Sequence, residues 1–416
     1  MTRLARVAGK SAWVLAGALV GGALILGAGG TGRSPRNSPT PSPLVVEVDR
    51  SAKAGKAGKV VRARASGKVL LAWATGSGLP PDTEKVLESS AGIEAVTVVH
   101  AGVDWLRASF DADGSLLDRP RRPLAVPMEV ASVDPGDFAT FTPVGERDPV
   151  LALGRGDVLL SETSAGIRRA GPGSTLRLDS GRYTVSGVVS DAAAGGYEAL
   201  VARPVPASWP DTETYALVRM RSPELRKRVD KKLTDLLGPG DQLQLRAEGE
   251  NPFLRYGDAV LPQLIVKSVF GEFAAAPTPE GFLTVDPAWK KANIGTARVP
   301  LLGTVTCHRA VFPQLKRALR RAVTANLSFA VDASDFGGCY SPRFINRNPS
   351  GRISHHSWGI AVDINVAENA YGTKADQDLR LVRVMEQSGF TWGGRWVVPD
   401  GMHFEWAHFP QPGAKG

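Results

Sequence analysis

Cysteine occurs only twice in the 416 residues, at Cys307 and Cys339. Two thiols are too few for a disulfide-stapled mini-domain or a four-cysteine zinc site. The usual frames of nucleophilic serine chemistry are missing too. No serine has lysine three residues later, and there is no Gly-x-Ser-x-Gly turn. Neither Gly-x-x-x-x-Gly-Lys nor His-Glu-x-x-His occurs, so a phosphate-cradling loop and a zinc-binding helix of that type are excluded. Beyond residue 30 no uncharged apolar run is long enough to cross a bilayer, which excludes a multi-span transporter. Charge of one sign is scarce in the body of the chain. Of the net +9, residues 1–60 hold nine Lys/Arg against two Asp/Glu. The near-neutral remainder speaks against a folded nucleic-acid surface.

The N-terminus accounts for part of the basic excess. Arg3, Arg6 and Lys10 precede an uncharged run from Ser11 to Gly30. Positive residues ahead of such a run keep the N-terminus inside and send the rest outward. The run is longer than a cleavable signal core and suits one crossing, so residues 1–30 are expected to be an uncleaved signal anchor. A cleaved signal is the alternative, with secretion as its result. Residues 31–60 carry Pro35, Pro39, Pro41 and Pro43, then Lys53, Lys56 and Lys59 spaced by Ala-Gly, and read as an extended tether. Its lysines also suit attraction to anionic lipid or wall polymer.

Residues 61–272 read as a β-rich α+β domain. Val69–Trp73, Ala95–His100, Val158–Leu160 and Tyr183–Val189 have strand character, with Gly, Asp and Pro between them. Helices are expected over Pro80–Ser90 and Ser222–Leu237, the second closed by Gly238-Pro-Gly. The stretch from Asp157 to Arg168, with Thr175–Leu178 and Tyr183–Val189, resembles extracytoplasmic domains of ABC permease subunits. That resemblance implies an interaction domain with a possible membrane-protein partner. His100 is the region's one histidine and is expected to be structural.

The other five histidines lie beyond residue 300. Two clusters hold three of them: Ser354-His-His-Ser-Trp-Gly-Ile-Ala-Val-Asp363, and Trp392-Gly-Gly-Arg-Trp396 followed by Asp400-Gly-Met-His-Phe-Glu405. A hydrolytic zinc site needs three protein ligands, an open position and a carboxylate to take a proton from water. The candidates are His355 or His356, Asp363, His403, Asp400 and Glu405. Alternation from Gly359 to Asn365 predicts a strand with Ala361, Asp363 and Asn365 on one face. A second alternation puts His403 and Glu405 on one face, with Phe404 and Trp406 on the other. Asp400 precedes that strand beside a turn at Gly401. The bland reading is a set of strand-end polar residues; two such motifs in an exported chain favour zinc.

The patterns Ser-x-His-x-x-Gly-x-Ala-x-Asp, Gly-Phe-x-Trp-Gly-Gly-x-Trp and Asp-x-Met-His-Phe-Glu together resemble the VanY-like zinc peptidases, over about residues 280–410. These are D-alanyl-D-alanine carboxypeptidases and the related L-alanyl-D-glutamate endopeptidases of phage lysins. The resemblance implies Zn2+ as cofactor and places its ligands at His356, Asp363 and His403. It implies Asp400 as the catalytic carboxylate and Arg343 as a group that binds substrate or the developing oxyanion, with Arg347 as the lesser alternative. Some carboxypeptidase members carry Glu-x-x-His at this point, and Asp-x-x-His is more like the endopeptidase branch. Ser354 suits a substrate contact or the cap of a turn. Trp358, Trp392 and Trp396 suit core or pocket walls.

Cys307 and Cys339 flank an expected helix over Phe312–Thr324 whose buried stripe would be Leu315, Ala318, Leu319, Ala322 and Val323. Outside the cytoplasm a bridge between them is expected, with two buried thiols as the alternative. The whole reads as an anchored or secreted α+β protein whose residues 273–416 form a zinc peptidase domain acting on peptidoglycan stem peptides, with no nucleic-acid partner. The rival reading is a non-hydrolytic, zinc-stabilised wall-binding or interaction module on the same fold.

Overall fold

The structure, a computed structural model, describes residues 67–410 except 77, 210–212, 250–254, 256 and 258–260. The expected anchor at residues 1–30 and the tether at 31–60 lie outside the described residues. Among the described residues, no helix is long and apolar enough to cross a membrane. The fold is mixed α+β, with two β layers built from separate stretches of sequence.

The first layer is a ten-stranded sheet organised by one long strand, Ile93–Phe110. The first half of this strand pairs antiparallel with Glu213–Met220, which pairs with Val69–Ala74, which pairs with Leu243–Ala247. The second half pairs with Val126–Val133 and with Thr175–Leu178. From Val126–Val133 the sheet continues through Ala199–Ala202, Asp157–Ser161 and Gly181–Val189 back to Thr175–Leu178, so six strands close a ring. Val69–Ala74 is apolar at every position because it is covered on both faces. Leu70, Ala72 and Ala74 pack with Leu87, Val229 and Leu233 from the helices Thr83–Glu88 and Arg226–Thr234, whereas Leu71 and Trp73 face a separate cluster with Tyr215 and Leu217. The expected helix from Ser222 starts later, at Arg226, because Pro223–Leu225 forms a 3-10 turn and Ser222 makes no side-chain cap.

The second layer is a four-stranded antiparallel sheet in the order Phe336–Gly338, Ala361–Ile364, His403–Trp406, Phe390–Trp392. The helices Phe312–Thr324 and Leu379–Gln387 cover it, burying Leu315, Ala318, Leu319, Leu381, Val382 and Met385. Val323, expected in the buried stripe, is 43% exposed; the stripe runs instead from Phe312 through Leu315 and Leu319 to Ala322. The strand at Ala361 also ends early. Asn365 adopts φ 56°, leaves the strand, accepts a hydrogen bond from the Asp332 amide and donates to the Ala330 carbonyl. The helix Gln263–Phe270 sends Val266 and Phe270 into this second core, where Phe270 meets His308 and Trp406 edge-on.

The two layers are joined by more than the chain. Ala125 and Ala275 form a β-bridge, and Trp105 of the long strand packs edge-on against Phe344. Buried charges cross the same junction. Lys267 Nζ lies 2.9 Å from Glu198 and from Glu272, Arg168 lies 2.6 Å from both, and Arg255 lies 2.8 Å from Glu129. Burial opposes the charge on Glu198, but Lys267 and Arg168 outweigh it and hold its carboxyl below the ordinary range.

Candidate active site

The antiparallel register sets Asp363 opposite His403 and Ala361 opposite Glu405. Both acid–histidine neighbours therefore share one face, as the period-2 pattern predicts. His356 reaches the same point from a 3-10 turn, His355–Ser357, capped by Ser354 Oγ, which accepts from the His356 amide at 3.3 Å. Ser354 thus caps a turn, and it also borders the cleft described below.

His356, Asp363 and His403 are all buried and present one ligand atom each. His356 Nε2 and His403 Nδ1 lie 3.1 and 3.0 Å from the same oxygen, Asp363 Oδ1, and 3.2 Å from each other. The outer nitrogens are engaged elsewhere. His356 Nδ1 donates to the Cys339 carbonyl at 2.8 Å, and His403 Nε2 donates to Glu405 Oε2 at 3.2 Å. With a proton committed to each outer nitrogen, two ring lone pairs and a carboxylate oxygen converge. Three such atoms could hold a cation between them, and a nitrogen–nitrogen–oxygen donor set suits zinc. A proton on His403 Nδ1 can take the same place as a cation. Burial opposes a charge on His403, yet hydrogen bonds to Asp363 and Glu405 push its imidazole up to about 10. Burial would raise Asp363, but His356 and His403 hold it far below the usual carboxylate range.

Cys339, which fixes His356, is bonded to Cys307 with a Cα–Cα distance of 5.4 Å. The link closes a 32-residue separation around the helix Phe312–Thr324, for a loop-entropy contribution of about 3–4 kcal/mol.

Asp400 lies on the loop between the last two strands. Its amide donates to Gly393 O at 3.0 Å, and its carbonyl accepts from the His403 amide at 3.1 Å. The Gly-Gly pair beneath it is a steric requirement. A Cβ on Gly393 would come 2.8 Å from Asp400 O, and one on Gly394 would come 2.1 Å from the Trp392 ring. Asp400 Oδ1 is buried without a partner among the described residues. Burial, with the charges of Asp363 and Glu405, raises its carboxyl above the ordinary range, and His403 and Arg343 only partly oppose this. A raised carboxyl with one unpartnered oxygen, near residues that could hold a cation, would suit a proton acceptor.

Arg343 is clasped through its backbone, which exchanges hydrogen bonds with Ser357 Oγ at 3.0 and 3.1 Å. Its guanidinium lies 3.7 Å from Asp363 Oδ2. Arg347 instead stacks over the Phe282 ring at 4.9 Å. Trp358 and Trp392 are core residues, bonded through Nε1 to Gly271 O and Gly401 O, while Trp396 borders the site with its ring 5.4 Å from His403. His355 does not join the ligand atoms. Its Nδ1 lies 2.8 Å from Glu405 Oε2, so Glu405 bridges His355 and His403.

These groups open into a cleft of about 1100 Å³. Its other wall comes from the ten-stranded layer, including Trp73, Thr75, Glu213 and Thr214. No motif marks those four residues in the sequence, and pattern reading on the peptidase-like segment does not reach them.

Residues 347–406 match the model of a family described as D-alanyl-D-alanine carboxypeptidase. The matched stretch contains His356, Asp363, Asp400 and His403, and Arg343 falls just before it. No curated protein matches the chain. Among solved structures, the chain is similar to the periplasmic region of MacB from Actinobacillus actinomycetemcomitans, at 13% identity and a TM-score of 0.31, covering 44% of this chain and 90% of that one. It is also similar to the extracellular domain of the noncanonic ABC-type transporter YknZ from Gram-positive bacteria, at 12% identity and a TM-score of 0.27, covering 39% and 88%. Likenesses this weak identify no activity.

Proposed function

We propose that this chain is a zinc-dependent peptidase that hydrolyses peptidoglycan stem peptides at the outer face of a bacterial membrane, to which residues 1–30 tether it. The observation that carries the reading is the convergence of three buried acceptors, His356 Nε2, Asp363 Oδ1 and His403 Nδ1, beside the unpartnered Asp400 Oδ1. A zinc ion held by those three would supply the Lewis acidity that makes water nucleophilic near neutral pH and polarises a carbonyl. Asp400 accepts the proton of the attacking water and returns it to the leaving amine. Arg343, at the edge of the site, steadies the negative charge that develops on the carbonyl oxygen. Cys339 O and Glu405 keep the two imidazoles in the tautomers and orientations that binding requires.

The test is incubation of the full chain with zinc and defined muropeptides, followed by mass spectrometry. Release of free D-Ala marks a carboxypeptidase, and a cut after L-Ala marks an endopeptidase. Binding of muropeptide with no product would replace the proposal with a non-hydrolytic wall-binding module. Asp400 favours the enzyme, since a purely structural metal site has no use for a buried carboxylate without a partner.

A further inference from the structure

The cleft is lined from two sides, and both sides are tied to the loops that carry the candidate chemistry. Arg352, two residues before Ser354, forms an ion pair with Glu213 of the ten-stranded layer at 2.7 Å. The pair is largely buried, with side chains 15% and 20% exposed, and it borders the cleft. Val397, three residues before Asp400, packs against the cluster of Leu71, Trp73, Tyr215 and Leu217. Gly257, two residues after the buried Arg255, adopts φ 80° and lies close under the Arg352 guanidinium, where a Cβ would come 2.4 Å from one nitrogen. The turn holding His356 and the loop holding Asp400 are thus each braced from outside the four-stranded layer.

We propose that the ten-stranded domain is a working part of the catalytic cleft: the Glu213–Arg352 pair and the seat under Val397 position the His356 and Asp400 loops, and Glu213 and Thr214 form the wall along which the bound peptide lies. The proposal rests on the peptidase reading for its substrate class. A tether would have no reason to bury an ion pair against the site or to present polar side chains to the cleft. On the opposite wall Arg343 and Arg347 stand beside Asp363, Asp400 and Glu405, so the channel presents charges of both signs. That polarity suits a peptide bearing both carboxylates and an amine, aligned by its charges. Glu213 and Arg352 are positioning residues in this scheme.

The test uses the full chain in three forms besides wild type: Glu213→Arg, the reciprocal pair Glu213→Arg with Arg352→Glu, and Val397→Ala. Zinc content, binding of a fluorescent disaccharide-pentapeptide and its hydrolysis are measured on each. Glu213→Arg is expected to keep zinc while weakening peptide binding by about tenfold, and the reciprocal pair is expected to recover most of that loss. Val397→Ala is expected to lower kcat by about tenfold with KM nearly unchanged, since small misplacements of a catalytic group cost at least that much. Wild-type binding and turnover in both Glu213→Arg and Val397→Ala would overturn the proposal, as would a reciprocal pair no better than Glu213→Arg alone. If wild type binds the peptide without cleaving it, the peptidase reading falls, and the binding results still decide the role of Glu213. If wild type neither binds nor cleaves, both fall.

Discussion

The carbonyl of Cys339 accepts the Nδ1 proton of His356 at 2.8 Å, so one half of the disulfide holds one of the candidate metal ligands. Crosslink and metal affinity should therefore change together. Thiol titration under denaturing, non-reducing conditions should find no free thiol. Replacing both cysteines by serine should cost about 3–4 kcal/mol in urea unfolding. It should also weaken zinc by about 10-fold, at the low end of the range for lost support of a ligand. Unchanged zinc affinity in the double variant would separate the two roles.

His356→Ala and His403→Ala should each abolish stoichiometric zinc after dialysis, measured by metal analysis. His355→Ala should retain it, with affinity reduced, because His355 touches Glu405 and not the ligand atoms. An indispensable His355 would mean that the ligand set is misassigned.

Asp400→Asn should keep zinc and fold while losing about 10²–10⁴-fold in kcat. The amide preserves size and an acceptor but cannot take a proton. Glu405→Gln should reduce zinc affinity about 10–100-fold and leave measurable turnover, since Glu405 Oε2 is engaged by both His403 and His355 and serves to orient them. The opposite ranking in a muropeptide assay would exchange the two roles.

The junction between the layers should be acid-sensitive. Glu198 and Glu129 are held below ordinary carboxyl values by Lys267, Arg168 and Arg255, against the opposing effect of burial. A carboxyl depressed in the folded state gives stability that is complete above its unfolded value, about 4.3, and is lost as pH falls through the lower folded value. Urea midpoints should hold between pH 7 and 5.5 and fall below pH 4. Glu198→Gln should lower stability at pH 7 by about 3–5 kcal/mol, because it leaves Lys267 and Arg168 buried with only Glu272 between them.

The C-terminal site was largely legible because its information is local. Period places Asp363 and His403 at alternating positions of two strands, whereas the choice of His356 over His355 and the role of Asp400 follow from the family resemblance. Val323 and Asn365 went differently because a helix edge and a left-handed residue are decided by neighbours and not by period. The role of His355 depends on Glu405, fifty residues later, and the Glu213–Arg352 pair spans 139 residues with no motif at either end. Contacts of that kind are set by how two layers dock, which a one-dimensional pattern does not encode.

The strand Ile93–Phe110 pairs at Ala101 with Glu213, and four residues later its Trp105 meets Phe344, the neighbour of Arg343. One continuous backbone thereby sets the spacing between both anchors of the cleft. At roughly 3.3 Å per residue the strand is a ruler of about 60 Å, shared by the open sheet and the closed ring. At His100 and Ala101 the strand is paired on both edges, with Thr214 and Glu213 of the open sheet and with Ser132 and Ala131 of the ring. Amide exchange along this strand should report a single cooperative event in which ring and open sheet come apart together.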